Sequence, residues 1–188
     1  MKKLFFILAT VAICRTSNAQ KKMPELKRAS TSSSTLQQTK EGMFLIEANT
    51  GFGAVSPANT SFGFQSRDGS SSYNLGLEGG YFFMNDLAVK VGLGYGGFSI
   101  KDGGNTNTIS YKIGVKYYIL SVIPVQLDYS GAKVKDVTDN ESFVGLQAGY
   151  AIFLGDNVSL EPGIRYNKAL LKDAKDILEF KVGFALHF

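Results

Sequence analysis

One cysteine, Cys14, and one histidine, His187, are all this chain offers for thiol or imidazole chemistry. Cys14 sits in an N-terminal segment with the marks of a targeting peptide. Lys2 and Lys3 give a positive start, Leu4 to Ile13 an apolar run, and Ser17-Asn18-Ala19 a small-residue cleavage site. The run is too short to cross a bilayer as a helix. Cleavage after Ala19 would leave Gln20 as the mature N-terminus. A lipoprotein cut before Cys14 is disfavoured because Ile13 is bulky where that peptidase takes a small residue. Without Cys14 the mature chain can form no disulfide, thiolate nucleophile or thiolate metal site. Positive charge is also scarce where a fold could form. The formal net charge is +4, but from Gly42 onward there are 12 basic and 14 acidic residues. The electrostatic case for nucleic acid therefore fails.

The excess of cations lies in residues 1–41. After the signal come Lys21, Lys22, Lys27, Arg28 and Lys40 against Glu25 and Glu41, around a Ser/Thr-rich stretch at 29–39. Residues 1–19 are thus expected to be a signal peptide, 20–41 a flexible basic tether and 42–188 the folded domain.

From Gly42 onward, apolar and polar residues alternate with period two. Candidate strands are 43–52, 72–83, 87–98, 109–120, 125–133, 142–154, 158–168 and 177–188. Most are much longer than the roughly 5–6 residues of a soluble strand and match the roughly 9–11 tilted residues that cross a membrane. Connections at 84–86, 121–124 and 155–157 are short, whereas 53–71, 99–108, 134–141 and 169–176 are longer and polar. Short turns on one side and long loops on the other suit an outer-membrane barrel with both ends and the short turns in the periplasm. Within the first long loop, Ser61-Phe62-Gly63-Phe64 and Arg67-Asp68-Gly69 could make a hairpin arm with 70–76 above the membrane.

Alternate side chains of a strand point to opposite faces. One face, read from Phe44, Ile46 and Ala48 through Phe184, Leu186 and Phe188, carries no charge. The other carries Glu47, Glu78, Asp128, Glu161 and Glu179 against Lys90, Lys112, Lys116, Arg165 and Lys181, with eleven glycines from Gly51 to Gly183 on the same side. Glycine on a water-facing strand weakens it without gain, which argues against a soluble ligand-binding barrel. Inside an eight-stranded cylinder there is room only for side chains. Glycines then make space for long neighbours, and five acids meet five bases. The expected lumen is filled, salt-bridged and without a wide pore.

The last strand resembles the C-terminal recognition strand of outer-membrane barrels. Lys181, Gly183, Leu186 and Phe188 fill its polar, glycine, hydrophobic and terminal aromatic places. Gly79-Gly80-Tyr81-Phe82-Phe83, a tight acidic turn at Asp86, and Leu87-Ala88-Val89 resemble a periplasmic hairpin of the same group. Residues 42–188 as a whole resemble the small outer-membrane β-barrel family of OmpX-like and OmpA-transmembrane-like proteins. The resemblance implies an eight-stranded antiparallel up-and-down transmembrane barrel in the outer membrane of a Gram-negative bacterium. Its implied surroundings are outer-membrane lipids and lipopolysaccharide. Its implied partners are the barrel-assembly machinery and periplasmic chaperones during biogenesis, and host or surface ligands at the loops. Full-length OmpA-type proteins continue into a peptidoglycan-binding domain, which this sequence does not show, so anchoring of that kind is not expected.

Catalytic, cofactor and metal sites are not expected. The glycines of Gly92-Leu93-Gly94-Tyr95-Gly96-Gly97 recur as one face of a strand and lack the strand-turn-helix frame of a nucleotide loop. Asp136, Asp139, Asn140 and Glu141 could gather oxygens, but they lack a calcium-loop frame and have Lys133 and Lys135 beside them. His187 would be a polar residue at the periplasmic rim, the wrong side for surface lipid chemistry. The favoured role is a non-enzymatic surface barrel for membrane integrity, adhesion or surface interaction. A narrow porin or transporter is the alternative, and a lipid-modifying enzyme a distant third.

Overall fold

The computed structural model describes residues 38–188 except 54–55, 68, 101–103, 135–140 and 172–173. The cleavage site at Ala19 and Gln20, the tether up to residue 37, and the acidic cluster at Asp136, Asp139 and Asn140 lie outside the described residues.

Among the described residues ten strands form one sheet that closes on itself. They are β1 (Phe44–Gly53), β2 (Gly63–Arg67), β3 (Ser70–Met84), β4 (Leu87–Ile100), β5 (Asn105–Ile119), β6 (Ile123–Val134), β7 (Glu141–Gly149), β8 (Ile152–Phe153), β9 (Val158–Ala169) and β10 (Ile177–His187). Neighbouring spanning strands are antiparallel, and closure comes from β1, which pairs with β10 on one edge and β3 on the other. Eight strands make the wall, because β2 lines only its outer part and β8 continues β7. The fold is a closed eight-stranded antiparallel barrel, as the alternation predicts.

The expected single strand at 142–154 is split, and Pro162 explains the split. Pro162 lies across from Tyr150 in the register that sets Gly149 against Gly163. Tyr150 N–H donates to Pro162 O at 3.0 Å, but proline has no N–H to return the bond. The ladder resumes at Ile152↔Leu160. Between them, Ala151 N–H turns to Val122 O at 2.7 Å, tying this break to the β5–β6 turn.

The face assignment follows the pleat. In β4 the buried positions are Ala88, Lys90, Gly92, Gly94 and Gly96, with Val89, Val91, Leu93 and Tyr95 exposed between them. The hydrophobic face is therefore outside and the polar face inside, the reverse of a soluble barrel. Two outward glycines, Gly97 and Gly131, are covered by the rings of Tyr73 and Tyr111 directly opposite. These rings protect strand backbone that a missing side chain would leave bare.

Leu120 and Ser121 make the β5–β6 turn with φ of 53° and 58°, and Val122 N–H closes it onto Ile119 O at 3.2 Å. Two successive positive φ values define a type I′ hairpin turn, which favours Asn and Gly. Leucine is strained there. Leu120→Asn should stabilise the barrel by about 1 kcal/mol, seen as a higher urea midpoint for loss of the heat-modifiable folded band in detergent.

Candidate functional site

The barrel interior has three layers. At the end holding Phe188 and the short turns, Leu45, Phe82, Ala88, Tyr118, Ala151 and Ala185 form an apolar layer. His187 stacks within it, its ring centroid 5.8 Å from that of Phe153 and 6.2 Å from that of Phe82. Across this end lies the chain that leads into β1. Gln38 donates its side-chain amide to Gly155 O, Asp86 N–H donates to Thr39 O at 2.7 Å, and Glu41 N–H donates to Asn85 Oδ1 at 3.0 Å. Gln38 and Thr39 are buried, so the last residues of the basic segment are fixed to the mouth of the barrel.

The middle layer brings all ten inward charged residues together. Lys112 meets Glu78 at 2.6 Å, Lys90 meets both Glu78 and Glu47 at 2.8 Å, and Lys116 meets Glu47 at 2.6 Å and Glu161 at 2.5 Å. Glu47 and Glu78 are direct cross-strand partners, so Lys90 between them screens a like-charge contact. Arg165 grips Asp128 with two parallel bonds of 2.6 Å. Gln126 links the two groups, accepting from Lys90 at 2.9 Å and donating to Asp128 at 2.7 Å. Asn167 extends the chain, accepting from Arg165 at 2.8 Å and donating to Glu179 at 2.9 Å. Lys181 lies 3.6 Å from Glu179. Each charge thus has a partner, the condition under which buried ions persist.

The register shows how these side chains fit. Glycine faces a charged residue across the strands at Gly80↔Lys90, Gly92↔Lys112, Gly114↔Asp128, Gly163↔Lys181 and Gly183↔Glu161. A side chain on Gly145 would collide with the Arg165 guanidinium.

The outer layer departs from expectation. The stretch 53–71 is expected to be an outward polar loop, but Ser56, Ala58, Asn59, Thr60 and Ser61 are buried inside the barrel. Ser56 N–H donates to Glu179 Oε1 at 2.7 Å, Thr60 Oγ1 to Glu78 Oε1 at 2.6 Å, and Ser110 Oγ to Asn59 O. Ala58 packs with Ala132 and Phe143. The inner-face glycines Gly76 and Gly94 leave space for the backbone of Asn59 and Thr60, so part of the glycine stripe accommodates a chain segment rather than long side chains. The suggested arm does form, as β2 pairing with Ser70–Asn74.

The residues of the terminal strand divide by face. Lys181 and Gly183 point inward, whereas Leu186 and Phe188 are exposed on the outer wall. Phe188 packs on Phe44 with ring centroids 6.1 Å apart, and Phe44 N–H donates to Phe188 O at 2.7 Å. This strand therefore forms half of the closing seam.

Sequence reasoning missed Tyr118, whose hydroxyl donates to Glu161 at 2.7 Å, and Gln126 and Asn167 as connectors. Strand parity alone would have placed all three inside. It also missed the environment of His187. Nδ1 is 2.9 Å from Gln38 O, which can only accept, so Nδ1 carries a proton. Nε2 lies 3.0 Å from Ser159 Oγ. This is the hydrogen-bonding pattern of a nucleophile and its base, but both side chains are completely buried. Among the described residues no cluster of metal-binding side chains occurs.

Fold and lumen together define a closed eight-stranded barrel with an apolar wall and an ionic interior. Solved structures similar to the chain include the outer membrane protein OprG of Pseudomonas aeruginosa (12% identity, TM-score 0.49, covering 81% of this chain and 99% of that one). Another is the Yersinia pestis outer membrane protein Ail in a phospholipid nanodisc (17%, 0.47, 79% and 100%). A third is the N-terminal β-barrel domain of Pseudomonas aeruginosa OprF (15%, 0.45, 79% and 98%). No family model and no curated protein matches the chain.

Proposed function

We propose that the protein is an integral outer-membrane barrel of a Gram-negative bacterium that does not conduct and does not catalyse. It would support the membrane and present its outer rim for surface interaction. The observation that carries this reading is the inverted polarity. Leu75, Leu77, Val91, Leu93, Ile113 and Phe180 are each more than half exposed on the wall, while the ion pairs are buried. A continuous apolar girdle of that size is stable only against hydrocarbon. Aromatic residues at both ends of the strands, such as Tyr73 and Tyr95 at one and Phe44 and Tyr81 at the other, suit the two interfaces.

In this reading residues 1–19 are the export signal and Lys181, Gly183, Leu186 and Phe188 are read by the assembly machinery. The end sealed by Gln38 and Thr39 faces the periplasm. The lumen network acts as a structural core, with lipids and lipopolysaccharide outside it. Three filled layers favour a closed lumen over the narrow porin, and complete burial of Ser159 and His187 disfavours an enzyme. Purified protein in planar bilayers should give no stepwise current. A steady conductance that changes selectivity on neutralising Lys112 or Glu78 would replace this reading with transport.

A further inference from the structure

The apolar wall does not stop where the strands do. Tyr81 and Phe83 lead to Met84, Tyr117 and Ile119 to Leu120, and Tyr150 and Ile152 to Leu154, and all of these side chains are exposed. Each strand that runs down to a short turn thus ends on an exposed tyrosine, a second apolar residue on the same face, and an aliphatic tip at the turn itself. Exposure at the tips is 56% for Met84, 82% for Leu120 and 62% for Leu154. No other large hydrophobic side chain among the described residues is as exposed as Leu120.

Turns that stand in water are built mainly from Gly, Asn, Asp, Ser and Pro. These turns do hold Asn85-Asp86, Ser121 and Gly155-Asp156-Asn157, yet each also carries its aliphatic tip. Leu120 keeps its place at a φ of 53°, a backbone cost that asparagine would largely avoid. Strain of this kind persists where the site gains from it. The distribution of the tips selects what covers them. The ends of the β3–β4, β5–β6 and β8–β9 hairpins follow one another round the wall, and the β10–β1 seam completes the ring with Phe44 and Phe188, both more than half exposed. A protein partner takes one compact patch, about 800 Å² on each side, whereas lipid meets a barrel from every side. The tyrosines agree with a lipid cover. Each lies three or four residues before its tip, roughly 7–10 Å along the membrane normal on a tilted strand. A tyrosine keeps its ring in the apolar zone while its hydroxyl reaches toward the headgroups, so the membrane boundary falls beyond the rings, at the level of the tips. We propose that the short turns do not stand in periplasmic water but lodge in the periplasmic leaflet, with Met84, Leu120 and Leu154 buried among lipid where acyl chains meet headgroups.

The inference rests on the reading of the wall as lipid-facing and adds where the membrane ends. The chain holds no tryptophan, so one introduced tryptophan is an unambiguous fluorescent reporter. Met84→Trp, Leu120→Trp and Leu154→Trp are placed singly in the full chain, with Leu93→Trp, midway along β4 on the wall, as the reference. Each is reconstituted into phosphatidylcholine bilayers brominated either near the glycerol or near the chain ends, and heat-modifiable migration verifies folding. The tip variants should emit to the blue of tryptophan in water. They should lose more emission to bromines near the glycerol than to bromines near the chain ends, and Leu93→Trp should show the reverse order. Acrylamide in the aqueous phase should quench none of the four strongly. The inference is overturned if most of the folded tip variants keep their emission in both brominated bilayers while Leu93→Trp loses it. Free access of acrylamide to those tips would then mean that they stand in water, and protection from acrylamide would mean that protein covers them. If Leu93→Trp also keeps its emission, the lipid-facing wall itself fails and the inference falls with it. A conducting lumen would leave it untouched, because the tips lie outside the barrel.

Discussion

Lys116→Met is expected to destabilise the barrel by roughly 3–5 kcal/mol, the usual cost of removing one member of a buried ion pair. Lys116 is completely buried, and its ammonium bridges Glu47 at 2.6 Å and Glu161 at 2.5 Å. Methionine fills similar space, so most of the cost comes from the stranded carboxylates rather than from a cavity. The two do not suffer equally. Glu47 keeps Lys90 at 2.8 Å. Among the described residues Glu161 keeps the Tyr118 hydroxyl at 2.7 Å and a share of the single Ser159 proton, whose Oγ lies 3.0 Å from both Glu161 and His187 Nε2. A second change, Glu161→Gln, should therefore restore more than half of the loss, whereas Glu47→Gln should restore less and leave Lys90 poorly balanced. Urea titration in detergent, read by heat-modifiable migration, gives all four values. If Lys116→Met folds as stably as the wild type, the network is not the structural core described above.

Wall and lumen differ in how far they were legible in the amino-acid order. Strand parity is strict, because a slip of one residue would turn every side chain to the wrong face. Glu47, Lys90, Lys112, Arg165 and their partners were thus placed on the inner face by counting in twos. Parity is blind to distance along the barrel, however. It could not tell that Leu45, Phe82 and Ala88 make an apolar floor, or that Gln38 and Thr39 close over it, because those contacts join residues tens of positions or more apart, as Thr39 to Asp86 and Gln38 to Gly155. The outer plug was hidden for another reason. Ser56-Pro57-Ala58-Asn59-Thr60-Ser61 has the composition of a solvated loop, and its burial is decided by the space waiting for it. That space left a trace. Gly76 and Gly94 are cross-strand partners, and neither faces a long charged side chain across that ladder. A pair of inward glycines with nothing to accommodate marks a place for something other than a side chain.

Gly76→Val should expel the plug. A Cβ at Gly76 would overlap the backbone carbonyl of Thr60, so either the wall or the plug must give. The wall at Gly76 belongs to the extended ladder between β3 and β4. The plug is held by Ser56 to Glu179, Thr60 to Glu78, Ser110 to Asn59, and Phe62 N–H to Asn49 O at 2.6 Å. Each such bond contributes about 0.5–3 kcal/mol net, most where the partner is charged, and a clash with backbone exceeds what small side-chain shifts can relieve. The plug is the weaker side. The variant should remain heat-modifiable, lose at least about 2 kcal/mol of stability with those four bonds, and become sensitive to proteinase K within residues 56–61, where the wild type resists. Gly79→Ala, whose Cβ would meet nothing within 4 Å, should match the wild type in both assays. The expelled variant should still pass no current, because the Phe82, Tyr118 and His187 layer closes the other end independently. Conductance on loss of the plug alone would mean that the apolar floor is not a seal.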